Sequence, residues 1–211
     1  MPVLSREVIR RRLALAINDP KSLVITPRLL GDEALDFDEV DLRLGCHFLL
    51  PSVPPSPALL PGAMSSRSTH LHVHIPYGDY LVVPAHQTVL GATLEFIKLP
   101  FDLSGQVLTK SSVARTFTIV ETAPWIHPSY RGCLTLEIAN VSNTPLLLYP
   151  GRLICQLILL SIDEPCSPEK MSGTYLGPVY PEAPRFEDPK HDLAKIGISV
   201  VRRPKFDPPS D

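Results

Sequence analysis

Apolar positions along the chain recur at two different periods. Between residues 5 and 18, in SREVIRRRLALAIN, Ile9, Leu13, Ala16 and Ile17 fall on one face of a 3.6-residue spiral, with Ser5 as N-cap and Asn18-Asp19-Pro20 as the stop. One amphipathic helix is predicted there. The run Arg10-Arg11-Arg12 points in three directions around that helix and reads as solvated surface rather than an anion site. From residue 22 to 162 the apolar runs become short, rich in Val, Ile, Leu and Thr, and broken by Pro, Gly, Asn and Ser at the spacing of an all-β sandwich or barrel. Strands are predicted over 22–26, 40–50, 69–75, 80–83, 88–97, 105–109, 116–121, 132–140, 145–148 and 152–161.

Composition sharpens this picture. Residues 51–62, PSVPPSPALLPG, hold five prolines, which cannot sustain a ladder, so an exposed loop or insertion is expected. After Ile162 the periodicity stops and nine of the last 49 residues are proline, so 163–211 reads as an extended tail ordered only where it docks, following a domain over 1–162. With 44% hydrophobic and 20% charged residues in 211, the chain can bury a core without a disulfide or metal staple. Twenty-four prolines against eleven glycines disfavour a helical bundle. A formal charge of -2 supplies no field for a nucleic-acid polymer, so any phosphate must be met locally. Apolar runs fall short of the ~18 residues of a membrane span and the N-terminus lacks a signal-like apolar region, so a cytoplasmic protein with no membrane partner is expected. Cys46, Cys133, Cys155 and Cys166 form no C-x-x-C pair and read as buried free thiols, with no zinc.

Two segments interrupt apolar patterns with chemistry. Thr109-Lys110-Ser111-Ser112-Val113-Ala114-Arg115 places two cations and two hydroxyls at a tight turn, where backbone N–H groups add to a cradle for phosphate. The same composition also describes an ordinary exposed turn. In Gly132-Cys133-Leu134-Thr135-Leu136-Glu137-Ile138, alternation puts Cys133, Thr135 and Glu137 on one strand face and Leu134, Leu136 and Ile138 on the other. By alternation alone Glu137 is a solvent-facing strand residue. His70, His72 and His74 share one face of a predicted strand, where the default is a solvent-facing or interface strand rather than a metal site. His47 and His86 have no partner in sequence and read as surface or packing residues.

These segments and their surroundings resemble the dCTP deaminase family, within the trimeric dUTPase-like superfamily. Val3-Leu4-Ser5 opens the similarity, and Val40-Asp41-Leu42-Arg43-Leu44-Gly45 resembles S-x-D-L-R-L-G. Leu90-Gly91-Ala92-Thr93-Leu94-Glu95 with Leu99-Pro100 is similar to L-x-x-T-x-E followed by L-P. Lys110-Ser111-Ser112-Val113-Ala114-Arg115 resembles R-S-S-L-A-R with lysine first. Leu136-Glu137-Ile138-Ala139-Asn140, Pro145, Pro150-Gly151-Arg152 and Ile154-Cys155-Gln156-Leu157 are similar to L-E-x-x-N, P, P-G and I-x-Q-L.

The resemblance implies a mainly β fold, a dUTPase-like distorted barrel or jelly roll with one N-terminal helix and an extended tail. It also implies hydrolytic deamination of dCTP to dUTP and ammonia in a homotrimer whose sites lie between protomers. The zinc-deaminase motifs H-x-E and P-C-x-x-C are absent, so water activation falls to a carboxylate, Glu137, as general base. By resemblance Ser111 assists at the reacting centre and the backbone at Ala123 fixes the water or base. Lys110, Ser112 and Arg115 would hold the triphosphate with a Mg²⁺ carried by phosphate oxygens and waters.

The turn Trp125-Ile126-His127-Pro128-Ser129-Tyr130-Arg131-Gly132 departs from R-I-D-P-G-F/W-x-G at Trp125, His127 and Ser129. His127 replaces the aspartate that holds the sugar, while Tyr130 keeps an aromatic ring there. Gly173-Thr174-Tyr175-Leu176-Gly177-Pro178 is similar to the lid K-Y-x-x-Q-G, with Tyr175 placed to close over the ligand or to pack on the sheet. Two other readings remain open: a dUTPase-type pyrophosphatase, and a degenerate nucleotide-binding or interaction module.

Overall fold

A computed structural model describes residues 2–29, 35, 38–52, 70–164 and 177–184. Its elements are α1 (Arg6–Leu13), β1 (Val24–Thr26), β2 (Glu39–Arg43), β3 (His47–Pro51), β4 (His70–His74), β5 (Leu81–Val83), β6 (Thr88–Lys98), β7 (Leu103–Thr109), α2 (Ser111–Ala114), β8 (Thr118–Glu121), β9 (Arg131–Asn140), β10 (Leu146–Leu148) and β11 (Leu153–Ser161). All named strand pairs are antiparallel. The largest sheet runs β4-β3-β6-β9-β8 with β1 added to β6, a second runs β2-β11-β7, and β5 pairs with β10. The mainly β class is as predicted, but the described strands form three sheets rather than one closed barrel.

One predicted strand, 40–50, is two. At its middle Leu44 donates its N–H to Arg152 O at 3.0 Å and Gly45 donates to Ala92 O at 2.8 Å, so the chain leaves the three-stranded sheet and enters the large one. A Cβ on Gly45 would sit 3.1 Å from Ala92 O, which is why a residue without one suits this crossing. The helix is also shorter than predicted. Of its apolar face, Ile9 is fully buried, whereas Ala16 and Ile17 lie past the helix end and are exposed. Nor is the arginine run all solvated: Arg12 makes a 2.5 Å ion pair with Asp102 and donates to Lys21 O, tying the helix to the β6–β7 turn.

Both larger sheets turn their apolar sides into one core, where Leu42, Phe48, Leu103, Leu136, Ile138, Leu157 and Leu159 are essentially inaccessible. A buried ion pair spans the two sheets. Arg43 on β2 donates Nη1 to Glu95 Oε1 at 3.1 Å and its backbone N–H to Glu95 Oε2 at 2.8 Å. Burial raises the Glu95 carboxyl above its ordinary range, opposed by the Arg43 hydrogen bonds and charge. Nearby, β6 shifts register between Ala92 and Phe96, and Thr93 Oγ1 accepts the Leu134 N–H at 2.9 Å. The T-x-E motif is thus structural. So is Asn140, whose side chain donates to Val83, Pro84 and Thr144 carbonyls and accepts from Ser142.

Cys46 is half-buried, Cys133 and Cys155 are buried, and all three are free thiols. Cys166, most of the 51–62 segment, and Tyr175 lie outside the described residues.

Candidate active site

The predicted cradle is a single helical turn set between two strands. Thr109, the last residue of β7, uses its hydroxyl both to donate to Val120 O at 2.7 Å and to accept the Val120 N–H at 2.9 Å, which clamps β7 to β8. Between these fixed points the tight turn of the prediction becomes α2. Lys110 is its N-cap, with Val113 and Ala114 N–H groups donating to Lys110 O at 2.9 Å. Val113 packs on the core and leaves Ser111, Ser112 and Arg115 exposed around the turn. The first N–H groups of a helical turn have no intrahelical acceptor, so hydroxyls, amides and the Arg115 guanidinium together suit an anion.

Lys110 is more constrained than its sequence predicts. Its Nζ donates to Asp41 Oδ1 at 2.6 Å, with both side chains mostly buried, so the ammonium is aimed by β2 rather than free in solvent. Asp41 belongs to the D-L-R-L-G stretch, but no sequence signal assigned it a role. Apart from Asp41 the cradle offers cations and hydroxyls and no carboxylate. This donor set fits phosphate oxygens and offers no carboxylate pair of its own to a divalent cation. Among the described residues no three or more His, Cys, Asp or Glu side chains are grouped to hold a metal ion.

Glu137 stands on the outer face of β9, as alternation predicts, with Leu134, Leu136 and Ile138 buried on the other side. In the single chain it is exposed. Its cross-strand partners are Leu90 on β6 and Glu121 on β8. β8 links it to the cradle. Thr118, just beyond α2, pairs with Asn140, and three residues further, about 10 Å along the strand, Glu121 pairs with Glu137. Glu121 was not predicted as a site residue, because strand pairing cannot be read from either strand alone. Ala123 follows on the exposed segment after β8, beside the exposed Trp125 and His127.

Tyr130 is fixed by its own chain. Its OH donates to Cys133 O at 2.9 Å, its N–H donates to His127 O, and its half-buried ring packs on the core. Burial raises its phenol well above the ordinary value, with Cys133 and Glu182 adding to the shift. Ser129, in place of the family glycine, keeps a left-handed backbone at φ 64°.

Part of the tail lies along β9. Gly177 donates to Arg131 O at 2.6 Å, Pro178 O accepts the Cys133 N–H at 2.7 Å, and Glu182 donates its N–H to Thr135 Oγ1 at 3.1 Å. This strap is bonded to the backbone of Cys133, which is buried, whereas on the same face Thr135 is partly exposed and Glu137 exposed. Gly132 makes the approach possible: it holds φ 146°, and a Cβ there would meet Pro178 Cδ at 2.5 Å. Further along, Tyr180 sets its ring edge-on to His47, with centroids 4.4 Å apart.

The antiparallel β fold is shared with a solved structure, the 2'-deoxycytidine 5'-triphosphate deaminase from Agrobacterium tumefaciens. The two superpose with a TM-score of 0.55 at 24% identity over 74% of this chain and 47% of that one, so this chain spans about half the length of that protein. A family model described as dCTP deaminase-like matches residues 3–162, and the chain belongs to that family. Curated relatives named dCTP deaminase, dUMP-forming, include that of Coprothermobacter proteolyticus, 35% identical over 78% of this chain and 88% of its own. That of Methanobrevibacter smithii is 29% identical over 88% of this chain and 95% of its own. No helix among the described residues is long and apolar enough to cross a membrane.

Proposed function

We propose that the protein is a hydrolase that removes the C4 amine of dCTP, with Glu137 as general base. The observation that carries this reading is that Glu137 and the Lys110–Arg115 cradle are both present within the family match and are linked by one short strand, β8. Glu137 takes a proton from water, the resulting hydroxide adds to C4, and the same carboxyl returns the proton as the C–N bond breaks and ammonia leaves. The atoms balance as dCTP plus water giving a uracil nucleotide plus ammonia. Ser111 hydrogen-bonds at the reacting centre, and the backbone at Ala123 orients the water. Lys110, Ser112 and Arg115 grip the triphosphate, which brings its own Mg²⁺. His127 and Tyr130 flank the sugar, and Tyr175 closes over the ligand.

Because Glu137 is open in one chain, the water-poor site the chemistry needs requires a second protomer across the β9 face, consistent with a homotrimer having three shared sites. Residues 1–162 form the catalytic domain and 163–211 the tail that completes it.

The product is the finer question. Deamination alone gives dUTP. The names of the curated relatives favour a second reading, in which pyrophosphate is also lost and dUMP results. Purified protein incubated with dCTP and Mg²⁺ tests both, with ammonia, pyrophosphate, dUTP and dUMP quantified separately. Ammonia with dUTP supports deamination alone, and ammonia with dUMP and pyrophosphate supports the coupled reaction. Pyrophosphate from dUTP without ammonia from dCTP would overturn the proposal in favour of a pyrophosphatase, and binding without turnover would favour a nucleotide-binding module.

A further inference from the structure

The histidine strand acquires a fourth member from the adjacent strand. His47 on β3 pairs with His74 on β4, and Leu49, two positions on, pairs with His72, so the imidazoles of His47, His72 and His74 stand on one face of the large sheet. His47 Nδ1 lies 3.2 Å from His72 Nε2 with the rings stacked, while the His74 ring is tilted against His47 at a centroid distance of 4.8 Å. His47 therefore has partners that sequence alone does not reveal.

We propose that His47 and His72 form a chelating site for a late first-row divalent cation, with water filling the remaining positions. The argument is geometric. Two nitrogens bound to one such ion at about 2.0–2.1 Å lie about 2.9 to 3.4 Å apart, from square-planar to tetrahedral angles. The observed separation falls inside that span, so an ion can enter with small ring rotations instead of a rearrangement of the sheet. In the metal-free pair one of the two nitrogens carries the shared proton. On binding, the ring that held this proton changes tautomer, the proton leaving to solvent while its opposite nitrogen takes one up, so that both rings ligate as neutral imidazoles with N–H at His47 Nε2 and His72 Nδ1. Imidazole donors select copper, nickel and zinc over magnesium or calcium, with Cu²⁺ tightest among them. The site requires only two protein donors and is open, unlike the closed cages of structural zinc.

Its position makes it separate from nucleotide chemistry. His72, Leu49, Leu90, Glu137 and Glu121 form one row across the sheet, with two apolar residues between the imidazoles and the carboxylates. Tyr180 of the strap lies against both His47 and His72, so the site borders the docked tail.

The test uses full-length protein without an affinity tag. Cu²⁺ is added at one equivalent and followed by electron paramagnetic resonance, and Ni²⁺ and Zn²⁺ are titrated by calorimetry. The expected spectrum shows at least two equatorial nitrogens, and His72→Gln or His47→Gln weakens each metal on the order of tenfold or more. His86→Gln, remote from the cluster, leaves affinity unchanged. Wild-type affinity in His72→Gln, a single-nitrogen spectrum, or loss of binding with His86→Gln would each overturn the proposal. Circular dichroism confirms that the exposed His72 variant is folded, and His74→Gln serves as a second variant expected to change affinity less than His72→Gln.

Discussion

Glu121 and Glu137 face each other directly across β8 and β9, so two carboxylates share the rim of the proposed site. Directly opposed strand residues have Cβ atoms about 4.5–5.5 Å apart, and like charges at that distance repel. Replacing Glu121 by Gln removes the repulsion and is expected to stabilise the protein by about 0.5 kcal/mol, read from chemical denaturation. Replacing Glu137 by Gln gives the same relief but lowers ammonia release from dCTP by about 10²–10⁴-fold. Equal activity in the two variants would remove Glu137 from its assigned role.

The Lys110–Asp41 pair ties phosphate binding to the three-stranded sheet. Asp41→Asn leaves the ammonium without its charged partner. It is expected to cost about 1 kcal/mol of stability and to raise the KM for dCTP more than it lowers kcat. Steady-state kinetics that show the reverse split would place Asp41 in the chemical step.

Gly132 is required by the strap. Gly132→Ala puts a methyl group into Pro178 and forces a backbone that side chains rarely adopt, costing about 1–3 kcal/mol. The loss should appear together with faster proteolysis between 177 and 184. Ser129→Gly makes the converse change, since glycine accepts the left-handed φ without strain, and should raise stability by about 1 kcal/mol in the same assay.

The histidine cluster sets an acid limit. Burial, His74 and His72 hold the folded pKa of His47 below the ordinary histidine value of about 6.5, so the unfolded chain binds more protons just below that pH. Stability contributed at His47 is therefore complete above pH 6.5 and falls as the pH drops toward the lower folded pKa. Thermal midpoints at pH 7.5 and 5.5 should differ more for the wild type than for His47→Gln.

Short-range periodicity made the strands legible. Nine of the ten predicted strands correspond to single observed ones, because Val-, Ile- and Leu-rich runs bounded by proline and glycine leave few other solutions. The tenth, 40–50, failed where Leu44 and Gly45 cross between sheets, a tertiary event with no periodic signature. The same limit governs the site. Glu137 and the Lys110–Arg115 turn stand out within their own segments, whereas Asp41, Glu121 and His47 matter through partners 69, 16 and 25 positions away. The strap was invisible too, since its bonds to β9 are made by backbone atoms that every residue possesses.

The burial of Cys133 at the point where the strap is bonded gives the molecule an internal chemical reporter. Burial, with Glu95 adding, raises that thiol above its ordinary pKa, keeping it protonated and slow to react, while the backbone N–H of the same residue holds Pro178 O. Alkylation at this sulfur would then time each departure of the tail from the sheet, by mass spectrometry and without any added label.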